Sequence, residues 1–118
     1  MKIISGPASK PLAEAVSAQT GYPNVHVTAK VFPDGESYVR LEAEVKGEEV
    51  AIIQTTCPPM PDGRLFQLCF MADAAKRGGA KKVTAVVPYI PCRNCDSAFP
   101  LDSVSGVHDH IEENLLEL

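Results

Sequence analysis

The sequence predicts an α/β domain built on a mainly parallel sheet with flanking helices. Two apolar runs, 50–54 and 83–90, bracket a stretch with helical spacing, which is the order and length of a βαβ crossover. A third run at 2–5 meets Gly6-Pro7 and leads into a second helical stretch. The chain has 118 residues, 45% hydrophobic and 22% charged, which fits one ordinary domain and excludes disorder throughout. A chain of this length buries roughly 65% of its unfolded surface, enough for a core without disulfide or metal staples.

The first strand, 2–5, gives way to a helix over 9–20. Ser9 stands at its N-cap with Pro11 near N1, and Leu12, Ala15, Val16 and Gln19 form its stripe. Gly21 and Pro23 stop it. Residues 25–31 alternate apolar and polar as one half-buried strand, and Phe32-Pro33-Asp34-Gly35-Glu36 is a turn from which 38–41 resumes as a strand. A hairpin is the expected result. Gly47 punctuates before the buried strand 50–54, which ends in Thr55-Thr56-Cys57-Pro58-Pro59. Asp62 caps a helix to about Lys76, striped by Leu65, Leu68, Cys69, Ala72 and Ala75 or Lys76 and closed by Gly78-Gly79. The strand 83–90 follows. Residues 91–106 are irregular and polar, and 108–118 read as a last helix, its acids early and Ile111, Leu115 and Leu118 at helical spacing. No repeat or linker divides the chain.

With 15 acidic and 11 basic side chains the net charge is −4, and no basic stripe exists to follow a phosphate backbone, so nucleic acid is not an expected partner. The two-residue apolar run before Ser5 is too short for a signal peptide, and no segment nears the roughly 20 apolar residues of a membrane span. The expectation is a cytoplasmic protein without membrane contact, its four cysteines reduced.

Several ordered segments then agree with a known family: Lys2-Ile3-Ile4-Ser5-Gly6, residues 32–40, Val45-Lys46-Gly47, Gln54-Thr55, residues 71–77 and Ala85-Val86-Val87-Pro88-Tyr89. Together they resemble the amino-terminal half of ribose-phosphate pyrophosphokinase, almost continuously from residue 2 to about 91, with 92–118 a divergent tail. The resemblance implies a phosphoribosyltransferase-like domain, truncated, with a bare edge where the family's next strand would lie. It also implies transfer of the pyrophosphoryl group of ATP to C1 of ribose 5-phosphate with magnesium. In the family the Phe-x-Asp-x-Glu loop serves the nucleotide of a neighbouring subunit, which carries over to Phe32, Asp34 and Glu36. The chemistry suits adenine, since an aromatic face stacks on the base and carboxylates accept hydrogen bonds from its amino group.

Further on the family has Tyr-Ala-Arg-Gln-Asp, whereas this chain has Cys92-Arg93-Asn94-Cys95-Asp96. Asp96 matches, as a fourth nucleotide-binding residue. Asn94 and Cys95 replace the Arg and Gln that reach ATP, and Arg93, displaced by one residue, falls on the opposite face of an extended segment. The family's magnesium ligands, its catalytic Lys and Arg loop and its ribose 5-phosphate loop have no counterpart here. The expectation is an adenine-contacting domain with no catalytic residue of its own, inactive alone, assembled with copies of itself or with a full-length relative. An unpaired sheet edge points the same way. The alternative is a non-catalytic regulatory or assembly protein derived from the family.

Other residues carry less. Cys92 and Cys95 with His108 and His110 suggest zinc by type, but histidines two apart diverge on a helix, and no helix opens at Cys-x-x-Cys as in thioredoxin-like units. Loop cysteines are the favoured reading. His26 reads as a half-exposed strand residue, Asp62-Gly63-Arg64 as a helix start, and Lys76 and Arg77 as cations suited to a helix C-terminus.

Overall fold

The computed structural model describes residues 1–90 and the backbone of Leu116–Glu117. The elements are β1 (Lys2–Ser5), α1 (Lys10–Thr20), β2 (Asn24–Val25), β3 (Val27–Val31), β4 (Ser37–Leu41), β5 (Glu49–Ile53), α2 (Pro61–Arg77), β6 (Lys82–Val86) and β7 (Leu116–Glu117). They build a five-stranded sheet in the order β2-β1-β5-β6-β7 and a separate hairpin, β3-β4. All pairings in the larger sheet are parallel except β6 with β7, so the α/β, mainly parallel fold expected from sequence is what forms.

The reason lies in the two central strands. β1 and β5 pair from Lys2↔Val50 to Ser5↔Ile53, and their side chains are buried on both faces. On one face Ile4, Val50 and Ile52 meet Leu68, Met71, Ala72 and Ala75 of α2. On the other, Ile3 and Ile53 meet Ala13 of α1, with Val16 half-buried beside them. Each large apolar side chain so enclosed contributes about 1.5–3 kcal/mol. The hairpin lies against α2, where Val39 and Leu41 pack on the main cluster.

Five local expectations need correction. Residues 25–31 are two strands: Val25 pairs with Ile4 of β1, the chain breaks at exposed His26, and β3 then pairs with β4 from Val27↔Leu41 to Val31↔Ser37. The buried faces of the helices are also rotated from the expected stripes. In α1 the buried residue is Ala13, while Leu12 is exposed, and in α2 Leu68, Ala72 and Ala75 of the expected stripe are buried and Met71 joins them, while Leu65 and Cys69 are exposed. Ser9 and Met60 hold the N-cap positions, but neither side chain caps, and Asp62 lies inside the first turn of α2. β6 ends at Val86, because Pro88 has no N–H for a ladder, although Tyr89 O still accepts from Thr56 N–H at 3.0 Å. Finally, Leu116–Glu117 is extended and pairs with Ala85 and Thr84, so the outer edge of β6 is covered there and the helix expected over 108–118 does not include these residues. The remainder of that segment lies outside the described residues.

Candidate functional site

Phe32, Asp34 and Glu36 come together at the tip of the hairpin. The turn is closed by Phe32 N–H donating to Glu36 O at 2.8 Å and by Gly35 N–H donating to Phe32 O at 2.9 Å. Gly35 has φ +90°, a conformation open to glycine and strained for other residues. Asp34 fixes the loop from within, one carboxylate oxygen accepting Glu36 N–H at 3.0 Å. Its other oxygen and the Glu36 carboxylate have no partner among the described residues. Phe32 is 44% exposed and meets the Tyr38 ring edge-on, centroids 6.2 Å apart at 62°. An aromatic face and two carboxylates thus stand on a turn braced by its own hydrogen bonds.

The base of the hairpin is held by charge. Glu42 accepts from the Thr28 hydroxyl and from Arg40, whose Nη2 lies 3.2 and 3.1 Å from its two carboxylate oxygens. The Thr28 hydrogen bond, followed by the one from Arg40, holds the Glu42 carboxyl below its usual range, and Glu42 in turn raises the Arg40 guanidinium. Both groups stay charged at neutral pH.

A second assembly, at the carboxyl ends of β1 and β5, escaped the reading of the sequence. Buried Gln54 accepts Ala8 N–H at 3.1 Å and donates to Arg64 O at 3.3 Å and to Gln67 Oε1 at 3.4 Å. Ser9 Oγ, instead of capping α1, accepts Thr55 N–H at 2.7 Å and donates to Thr55 Oγ1 at 2.9 Å. These bonds tie the turn after β1 to the segment after β5 and to the start of α2. They require Gly6, whose Cβ would lie 2.3 Å from Gln54 Oε1 and 2.6 Å from Ile53 O. The signal was Gly6 itself, a glycine directly after a buried strand. Beside this network a pocket of about 200 Å³ is lined by Pro7, Ala8, Val31, Met60, Arg64 and Gln67, among others.

Asp96, Cys92, Cys95, His108 and His110 lie outside the described residues. His26 meets the base of the hairpin only through its main-chain oxygen, which accepts Glu42 N–H at 3.0 Å, and among the described residues no group of three His, Cys, Asp or Glu is placed to hold a metal ion. No described helix is long and apolar enough to cross a membrane.

The family model for the N-terminal domain of ribose phosphate pyrophosphokinase matches residues 1–116. The chain belongs to that family. A ribose-phosphate pyrophosphokinase of Prochlorococcus marinus is 42% identical over 96 residues, 81% of this chain and 29% of that protein. The Saccharolobus solfataricus ribose-phosphate pyrophosphokinase is 41% identical over 99 residues, 84% of this chain and 34% of that one. The chain therefore spans about a third of the length of these relatives. Among solved structures, phosphoribosylpyrophosphate synthetase from Mycobacterium smegmatis superposes with a TM-score of 0.76 at 30% identity, covering 94% of this chain and 38% of that one. A purine phosphoribosyltransferase from Pyrococcus horikoshii Ot3 shares the fold, with a TM-score of 0.53 at 17% identity over 84% of this chain and 66% of that one.

Proposed function

We propose that this chain supplies the adenine-contacting hairpin of a ribose-phosphate pyrophosphokinase type of nucleotide site, with Phe32, Asp34 and Glu36 serving ATP bound mainly by a neighbouring subunit. Asp96 completes the set by its match to the family pattern. The observation that carries this reading is the hairpin tip. An exposed ring and two carboxylates, one of them still open to a partner at both oxygens, stand on a turn braced by its own hydrogen bonds. Such a platform offers stacking to a purine and acceptors to its amino group, and its exposure leaves the rest of the nucleotide to be held by another surface.

The reaction in which such a site takes part transfers a pyrophosphoryl group from ATP to C1 of ribose 5-phosphate. Asp34 and Glu36 alone make no cage for magnesium, so no step through the ion is assigned to these residues. We place the chain in an assembly, with copies of itself or with a full-length relative, where the remaining groups are supplied. A second reading, an assembly or regulatory protein that has lost the reaction, is favoured by Asn94 and Cys95 standing where the family has Arg and Gln.

Calorimetry of ATP with an assembly of this chain and a full-length relative separates the two. Phe32→Ala in this chain should weaken nucleotide binding by about 1–3 kcal/mol, the scale of a lost base stack. Unchanged affinity would remove the hairpin from the site and leave the second reading.

A further inference from the structure

The pocket beside the Gln54 network has a lining with an uneven chemistry. Its walls are mostly apolar: Pro7, Ala8, Val31, Pro59 and Met60. Its polar side chains are Arg64 and Gln67. Gln67 Oε1 already accepts from Gln54 Nε2, so the end of that amide left for a ligand is the donor. Arg64 is half-buried, gives one N–H from Nη1 to Cys57 Sγ at 2.7 Å, and has no carboxylate within ion-pair distance among the described residues. A guanidinium carries five donors, so most of them remain. The nearby main-chain acceptors are engaged, Met60 O by Arg64 N–H and Arg64 O by Gln54. Donors without acceptors, a cation without a counter-charge and apolar walls define a complementary ligand.

We propose that this pocket binds a small organic carboxylate with an apolar body, its carboxylate on Arg64 and Gln67 and its body against Val31, Pro7, Pro59 and Met60. At about 200 Å³ the space is smaller than typical pockets for drug-sized ligands, which suits a single ring or a short branched chain. Arginine suits the charge because its planar fork matches a carboxylate in a two-point contact. The proposal rests on the pocket alone and stands or falls apart from the adenine-hairpin reading. Val31 immediately precedes Phe32, so an occupant would also lean on the base of the hairpin turn.

The test is a titration of the isotopically labelled full chain followed by amide NMR, with benzoate as probe and benzyl alcohol as its neutral counterpart. Benzoate should saturably shift the amides of Ala8, Val31, Gly63 and Gln67, and benzyl alcohol should bind at least about tenfold more weakly. Arg64→Gln should lower benzoate affinity at least about tenfold, the loss expected when a charge-assisted hydrogen bond is removed. Val31→Glu, at a position already half in solvent, should lower it independently by setting a like charge in the wall. Equal binding of benzoate and benzyl alcohol, unchanged affinity in Arg64→Gln, or shifts that never saturate would each overturn the proposal. Inorganic phosphate binding as tightly as benzoate would overturn the role of the apolar walls.

Discussion

Gly6 decides the local geometry at the end of β1. Its missing side chain lets Gln54 reach Ala8 N–H, and a methyl group there would meet both the amide oxygen and the main-chain oxygen of Ile53. Gly6→Ala should therefore destabilise the domain by about 1–3 kcal/mol, the usual range for a crowded interior, measured as a lower urea midpoint. Glu42 decides the geometry at the base of the hairpin. Its carboxyl titrates lower in the folded chain than in the unfolded one, so the stability it brings is fully present above the ordinary carboxylate range. That stability is lost as the pH falls through the lowered value. Comparing urea midpoints of the parent and Glu42→Gln from about pH 7 to about pH 3 should show a gap that closes with acid, and a gap independent of pH would refute the assignment. Among the polar and aromatic groups of the two assemblies, only those in the Phe32–Glu36 turn were legible in the sequence as a candidate site. Gln54, Arg64 and Gln67 were not, because a polar network joining residues 8, 54, 64 and 67 has no periodicity and appears only when the strands are placed.

At the scale of elements the strands were more legible than the helix faces. Continuous apolar runs mark β1 and β5 because those strands are buried on both sides, and no partner choice can hide that. The alternating run 25–31 was legible as extended chain but not as two strands, since alternation says which face is buried and not which neighbour is paired. In α2 apolar residues surround the axis: Leu68, Met71 and Ala75 are buried in the core, while Leu65, Phe66 and Phe70 are exposed, the last two rings 6.3 Å apart. Several stripes fit such a helix, and only packing selects one. Ser9 shows the same limit in a single residue, for its position at the cap was readable and its bonds to Thr55 were not.

For the whole molecule, the division of labour between tip and sheet bears on activity. On the proposed reading the hairpin offers recognition groups, and among the described residues no group of three His, Cys, Asp or Glu is placed to hold a metal ion beside a transferring pyrophosphoryl group. The 118-residue chain by itself should form no detectable phosphoribosyl pyrophosphate from ATP and ribose 5-phosphate in a radiolabel assay. Product that appears with the parent and disappears with Phe32→Ala would show that association of copies builds a complete site. The separateness of the two sheets has a genetic consequence as well. Residues 32, 34 and 36 are exposed and belong to neither core cluster, although the hairpin itself packs on α2, so products of alleles altered there should still accumulate. On the proposed reading, inheritance at the tip would be judged by what a neighbouring copy loses, a dominant effect, while inheritance in the sheet would be judged by how much protein survives.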